Sequence, residues 1–339
     1  MQTDDIYDVT IIGGGPAGMY AAFYAGMRAM KVKLIEGKSE LGGFLHMYAE
    51  KIIWDVGGIP PMRCDRLIAW LAQQAQTFEP TLVFNEIVDS FQRGADGVFA
   101  LQTSSGRLHY SRTIVIAAGR GLAEPHKLEI EGASRFELSN VHYTVQGLEH
   151  FRGKHVLISG GGNSAVDWAL ELAAVAGKVT VVHRSDEFRA MERNVAAMKQ
   201  AADVRTPYAI AKLHGSGGVL ERAALEHVVD GTTEELDVDE VVVSHGYRSN
   251  YGGLTEMGLR MADGALAVSE RAETSVPGVF GAGDCVAYGS KVRLIAGAFA
   301  DAALAVNSAK LYLEPDAPGM AYVSSHNYIF RERNTRLAH

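Results

Sequence analysis

Val9-Thr10-Ile11-Ile12-Gly13-Gly14-Gly15-Pro16-Ala17-Gly18 is the stretch that decides the fold. A largely apolar strand feeds a turn of three glycines, and a proline then opens a helix that continues Met19-Tyr20-Ala21-Ala22-Phe23-Tyr24. Proline suits the first turn of a helix, where its missing N–H would have no partner anyway. Glycines at Gly13, Gly15 and Gly18 let the backbone approach a pyrophosphate, which then faces the N-terminus of the helix. The pattern recurs at Val156-Leu157-Ile158-Ser159-Gly160-Gly161-Gly162-Asn163-Ser164-Ala165, with Ala165 in the third glycine's place.

The two copies end in opposite charge. The same count onward from the first glycine lands on Glu36 in one copy and on His183, followed by Arg184, in the other. An acid there accepts hydrogen bonds from a ribose diol, whereas a basic cluster accommodates a 2′-phosphate. Two nucleotides are expected, FAD on the first copy and NADPH on the second. Ordinary strand-turn-helix units without a ligand are the plainer reading of either copy taken singly.

At 339 residues, with 47% apolar and 21% charged residues, the chain is sized for two globular domains. The expected fold is α/β: two Rossmann-like dinucleotide-binding domains of the three-layer ββα type, the NADPH domain inserted into the FAD domain. Boundaries are placed at 1–119 and 250–319 for the FAD domain, 120–249 for the NADP(H) domain, and 320–339 for a tail. Thr113-Ile114-Val115-Ile116-Ala117-Ala118-Gly119 is a buried strand whose small end, Ala118 and Gly119, can run beneath a nucleotide. Val279-Phe280-Gly281-Ala282-Gly283-Asp284 brings another strand to a glycine and an acid, with a helix over 294–310. Asp284 is either a ribityl partner or a turn residue.

Net charge is −8, which argues against nucleic acid as a partner. No apolar run approaches the roughly 20 residues of a membrane span, and the first strand begins too early to leave room for a secretory signal. A cytoplasmic protein is expected. Arg331, Arg333 and Arg336 are either a patch for an acidic carrier or a solvated end of the chain. The only cysteines, Cys64 and Cys285, make neither a disulfide framework nor a metal motif, and the 12 histidines show no metal-ligand spacing.

With these motifs in hand the chain resembles the two-dinucleotide-domain flavoproteins of the thioredoxin reductase superfamily. Within them it is most similar to the thioredoxin-reductase-like ferredoxin/flavodoxin–NADP reductases. The resemblance rests on Ile11–Gly18, Gly160–Leu170, His183–Ala190 and Gly281–Cys285. Thioredoxin reductases carry a C-x-x-C pair just before the second fingerprint, where this chain has Val141-His142-Tyr143-Thr144-Val145-Gln146. Bacillithiol-disulfide-reductase-like relatives place a cysteine in the first loop, where this chain has Ala17. Thiol relay is therefore not expected, because the thiolate is the nucleophile.

The resemblance implies hydride transfer from NADPH to flavin N5, then single electrons out to ferredoxin or flavodoxin, in a homodimer. It implies that Gly43 and Phe44 lie along the pyrophosphate and ribityl chain, that Tyr48 stacks on the isoalloxazine, and that Asp55 lies nearby. Arg184 and Arg189 join His183 at the 2′-phosphate, with Ser185 where many relatives have a second arginine. A C-terminal segment covers the other flavin face, usually of the partner subunit. Tyr322 aligns as its ring and Ser324 as a hydroxyl near N5, with His326 and Tyr328 as alternatives. Other readings are an NADPH oxidase using oxygen or a small acceptor, and a non-catalytic FAD/NADPH sensor.

Overall fold

The structure is a computed structural model that describes residues 6–337 except Leu138 and Gln146. The chain divides into two compact units: Met1–Ala123 with Ser249–His339, and Glu124–Arg248. Residues 120–123 and Ser249, read from sequence as part of the second domain, go with the first unit. The cause is backbone pairing: Leu122 N–H donates to Asn250 O (2.7 Å) and Asn250 N–H to Arg120 O (3.2 Å).

The first unit opens with β1 (Ile6–Ile12), α1 (Pro16–Met27) and β2 (Val32–Glu36). Helix α2 (Cys64–Ala75) follows, then β3 (Thr81–Phe84), β4 (Val88–Arg93), β5 (Phe99–Thr103) and β6 (Leu108–Ile116). The sheet order is β3-β2-β1-β6-β5-β4, with the late strand Val279–Gly281 also on β6. Strand β6 is long enough to serve two layers. Along one edge it pairs parallel with β1 from Tyr110 to Ile116; along the other, Leu108–Ser111 pair antiparallel with β5 and Ile114–Ile116 pair parallel with Val279–Gly281. Parallel strands covered on both faces need continuous apolar runs, and Val9, Ile11, Ile114, Val115 and Ile116 are all fully buried. Helix α1 packs on the helix Ile295–Leu313. Alanines on both sides (Ala21, Ala22 and Ala25 against Ala298, Ala302 and Ala305) belong to the same buried cluster, so the axes approach closely.

The second unit contains β7 (Val141–His142), β8 (His155–Ser159), α3 (Asn163–Ala173), β9 (Lys178–Val182), α4 (Glu192–Ala201) and β10 (Asp203–Arg205). An antiparallel sheet of β11 (Tyr208–Ser216), β12 (Val219–His227) and β13 (Thr233–Asp237) precedes β14 (Glu240–Val243). The main sheet is all parallel, in the order β7-β14-β8-β9-β10. Each unit thus has a set of parallel strands, one of which (β1 or β8) runs straight into a glycine turn and a helix.

Strand β6 also buries His109, whose Nδ1 faces Lys33 Nζ at 3.2 Å. Burial pushes its pKa down, and the Lys33 ammonium pushes it further. The folded imidazole is neutral, whereas the unfolded one titrates near its ordinary value of about 6.5. Stability from this group is therefore complete above about pH 6.5 and falls as pH drops below it. The thermal midpoint should fall between about pH 7 and about pH 5.5, and less steeply in His109→Asn, as read by circular dichroism across the pH series.

Candidate functional site

In the first unit, the Gly13–Gly18 turn is a cradle that side chains would fill. Gly13 has φ +105°, and a Cβ there would lie 2.5 Å from Ala117 O and 3.0 Å from Ala118 Cα. One on Gly18 would lie 1.8 Å from Gly13 O. Gly43 backs onto Gly15 (2.9 Å for its missing Cβ), and Gly42 N–H donates to Gly14 O at 2.9 Å. Gly283, from the distant C-terminal segment, presses on Ala17 at 2.9 Å in the same sense. Five sequence-remote pieces thus converge: Gly13–Gly18, Glu36, Gly42–Gly43, Ala117–Gly119 and Gly283.

Glu36 closes β2 and is buried. Its Oε2 accepts from Gly14 N–H (2.6 Å) and its Oε1 from Lys38 N–H (2.8 Å). Each carboxylate oxygen keeps a second lone pair, so the acid can still receive a diol. The two amide bonds fix its orientation beforehand.

Phe44 and Tyr48 lie in the 3₁₀ turn Gly43–Tyr48, edge to face with centroids 5.8 Å apart. Arg120 stacks over Phe44 at 5.4 Å, and Lys51 over Tyr48 at 5.8 Å. Asp55 is exposed, and Asp284 is half-buried in the turn Gly283–Cys285. Among the described residues, the tail lies against α1 and Phe78 of its own chain rather than at this turn. Ala321 N–H donates to Tyr24 OH (3.2 Å), and Phe330 packs on Phe23 and Phe78. Tyr24 lies eight residues along α1 from Pro16, roughly 12 Å down the axis from the glycine turn. Tyr322 is 69% exposed, and Ser324, His326 and Tyr328 are exposed too. Tyr48 and the proposed tail groups are therefore not brought together in one chain.

The second cradle follows the same logic with wider clearance. Gly160 has φ +147°, and a Cβ there would meet Ser244 O at 2.5 Å, yet nothing lies within 4 Å of one on Gly162. Ala165 is accommodated and fully buried. Asn163 and Ser164 open α3 beside this turn, and Asn163 Oδ1 accepts from Met191 N–H at 3.1 Å. Arg189 N–H donates to Gly161 O at 2.8 Å, which pins the basic loop to the glycine turn. His183 covers Gly161 and donates from Nε2 to Glu187 O at 3.2 Å. Burial pushes its pKa down, and Arg184 and Arg189 add to that against the Glu187 carbonyl. The Arg184 and Arg189 side chains are exposed, with no carboxylate partner among the described residues. Unpaired guanidiniums beside an open glycine turn can bind a phosphate bidentately.

Sulfur offers no competing chemistry. Cys64 and Cys285 are both buried and unpaired, and burial pushes each thiol up to about 11. Their Sγ atoms face backbone carbonyls, Leu45 O and Ile116 O. Neither is a ready thiolate.

The family model described as pyridine nucleotide-disulphide oxidoreductase matches residues 7–308. The chain belongs to this family. A ferredoxin–NADP reductase of Bacillus pumilus is 48% identical over 98% of this chain and 97% of its own length. Another, of Shouchella clausii, is 49% identical over 99% and 97%. Among solved structures, the thioredoxin reductase of Lactococcus lactis superposes with a TM-score of 0.80 at 26% identity, covering 91% of this chain and 99% of that one. The bacillithiol disulfide reductase of Staphylococcus aureus shares the fold, with a TM-score of 0.76 at 20% identity over 91% and 99%. Both glycine turns of this pyridine nucleotide-disulphide oxidoreductase lie within the residues that the family model matches.

Two positioning groups are not evident from motifs. Asp301, on the helix Ile295–Leu313, is buried and accepts from Gly283 N–H (3.0 Å), Tyr288 OH (2.6 Å) and Lys291 Nζ. It ties the Gly283 turn to the helix, and it drives the Tyr288 hydroxyl, already raised by burial, up to about 12. His245 bonds Ser159 Oγ at 2.8 Å, and its pKa is lowered by burial, then by Arg184, His126 and His183. A period-two alternation does not reveal either.

Proposed function

We propose that this chain is an FAD-dependent oxidoreductase that moves electrons between NADP(H) and ferredoxin, with flavodoxin as a second carrier. The observation that carries the reading is a pair of glycine cradles, one acid-tipped and one base-tipped, in a chain whose two thiols are buried and protonated. Gly13, Gly15, Pro16, Ala17, Gly18, Glu36, Gly43, Ala118, Gly119, Gly283 and Asp284 would hold FAD, with Phe44, Tyr48 and Asp55 beside it. Gly160, Gly162, Asn163, Ser164, Ala165, His183, Arg184 and Arg189 would hold NADP(H). Bound FAD supplies the exchange between two-electron and one-electron transfer. The chain's own part is orientation: Glu36 fixes the ribose end, the α1 N-terminus faces the diphosphate, and the Tyr48 ring offers a stacking surface.

A cytoplasmic homodimer fits the same reading. Unpaired buried thiols suit a reducing compartment, and a tail turned away from its own cradle, with Tyr322 and Ser324 exposed, is available to a second copy.

Stopped-flow reduction by NADPH, followed by reoxidation with ferredoxin, flavodoxin or thioredoxin, tests the proposal. Fast reoxidation by ferredoxin and slow reoxidation by thioredoxin are expected, and the reverse would sink it. Arg189→Ala should raise the KM for NADPH about tenfold to a hundredfold, the worth of one charge-assisted hydrogen bond, and leave the KM for NADH nearly unchanged. Ser185 Oγ accepts from Glu187 N–H at 3.2 Å, so its hydroxyl hydrogen stays available to a phosphate and some preference survives.

A further inference from the structure

His142 closes β7, His150 lies in the turn Leu148–Phe151, and Glu240 opens β14. Nothing in their spacing resembles a metal motif, yet folding gathers one ligand atom from each within 4.8 Å of the others. His142 Nε2 lies 2.7 Å from Glu240 Oε2, and His150 Nε2 lies 3.0 Å from Glu240 Oε1. The imidazoles stand edge to face, 5.3 Å apart, and both pack on the buried ring of Phe151. Glu240 is 2% exposed.

We propose that His142, His150 and Glu240 form a site for a divalent transition-metal ion, with Zn²⁺ the best chemical match. Two imidazole nitrogens and a carboxylate suit zinc and its neighbours, whereas calcium and magnesium take oxygen donors. Three protein ligands leave a fourth position for water. Phe151 closes the apolar side.

Lys154 now supplies the positive charge. Its Nζ lies 2.5 Å from Glu240 Oε1 and 3.3 Å from His150 Nε2. A metal ion and this ammonium compete for one carboxylate oxygen. Lys154 is a third exposed, so its head can swing into water while the stem stays packed. On metal binding each imidazole gives up the Nε2 proton it now directs at Glu240, offers that nitrogen's lone pair to the ion and carries its ring proton on Nδ1 instead. Glu240 pairs with Val156 near the start of β8, whereas the glycine turn follows that strand's other end. The metal and the nucleotide therefore address opposite ends of one sheet, and the site stands whether or not the electron-transfer reading does.

Calorimetric titration of the FAD-loaded full chain with Zn²⁺, against a competing chelator, tests it. One ion per chain is expected. His142→Ala and His150→Ala should weaken binding by about a hundredfold or more, since even outer partners of a metal ligand are worth about ten- to a hundredfold. Lys154→Ala should tighten it about tenfold, because the competing charge-assisted bond is gone. Side-chain exposure of 45% at His150 keeps that variant foldable, and Zn²⁺ should raise the thermal midpoint of the wild type and of Lys154→Ala but not of His150→Ala. No Zn²⁺ binding, equal binding by the histidine variants, or weaker binding by Lys154→Ala would overturn the site.

Discussion

Gly18→Ala is expected to strip the purified chain of its flavin, leaving near-colourless protein that regains little colour with added FAD. The new methyl would sit 1.8 Å from Gly13 O and 3.0 Å from Gly13 C. Gly13 has little room to yield, because its N–H donates to Ile35 O at 2.8 Å and Ala117 O lies only 2.5 Å from where a Cβ on it would sit. The strain must go into α1, whose first turn would tilt away from the glycines and take its N–H groups off the diphosphate. Overpacking of this kind costs about 1–3 kcal/mol, which is about fivefold to more than a hundredfold in affinity. The second cradle supplies the control. Ala165 already occupies the equivalent position without a clash, so Ala165→Gly should keep NADPH binding within a few-fold, at a helix cost of about 0.5–1 kcal/mol. Full flavin content in Gly18→Ala, by the ratio of flavin to protein absorbance, would remove FAD from this turn.

What was legible in the sequence was short in range. A strand, three glycines and a helix are contiguous, and the count to Glu36 or His183 spans a single βαβ unit. Helix α2 was missed, although Leu67, Ile68, Leu71 and Ala75 are its buried face and follow the helical period. The antiparallel sheet β11–β13 was missed for a different reason. Its buried residues, such as Leu213, Leu220, Ala223 and Leu225, sit among Gly, His and charged neighbours that blur the alternation. The helix expected over 294–310 runs from Ile295 to Leu313 and stops at Glu314, directly before Pro315, because the residue before a proline is pushed out of the helical region. Illegible in principle were groups joined only by folding: Asp301 with Gly283, His245 with Ser159, and His142 with Glu240 across 98 residues. The tail belongs with these. Tyr322 and Ser324 can be aligned with a family pattern, but it takes the Ala321 bond to Tyr24 and the Phe330 and Arg333 contacts with the Phe78 ring to show where the segment lies in its own chain.

Asp301→Ala should be the most destabilising single change in the first unit. It removes one carboxylate and strands three groups at once: the Gly283 N–H, the Tyr288 hydroxyl and the Lys291 ammonium, whose side chain is only 5% exposed. Removing one partner of a buried ion pair costs about 3–5 kcal/mol, because the other charge is left without compensation. Lys291 has a partial escape, since Tyr288–Ser290 and Val292–Leu294 around it are exposed and a long stem can carry its charge to water. Gly283 N–H has none, being backbone at a buried turn pressed on Ala17. The loss should therefore stay near about 3 kcal/mol even with Lys291 released, read from urea unfolding followed by circular dichroism. Adding Lys291→Met should recover a large part of it, because an apolar pair in place of a buried ion pair is often neutral. Flavin should also dissociate faster from Asp301→Ala than from the wild type, since the Gly283 turn loses its tie to the helix. An unfolding midpoint equal to the wild type's, together with unchanged flavin release, would mean that Asp301 neither holds the turn nor carries the charge of Lys291.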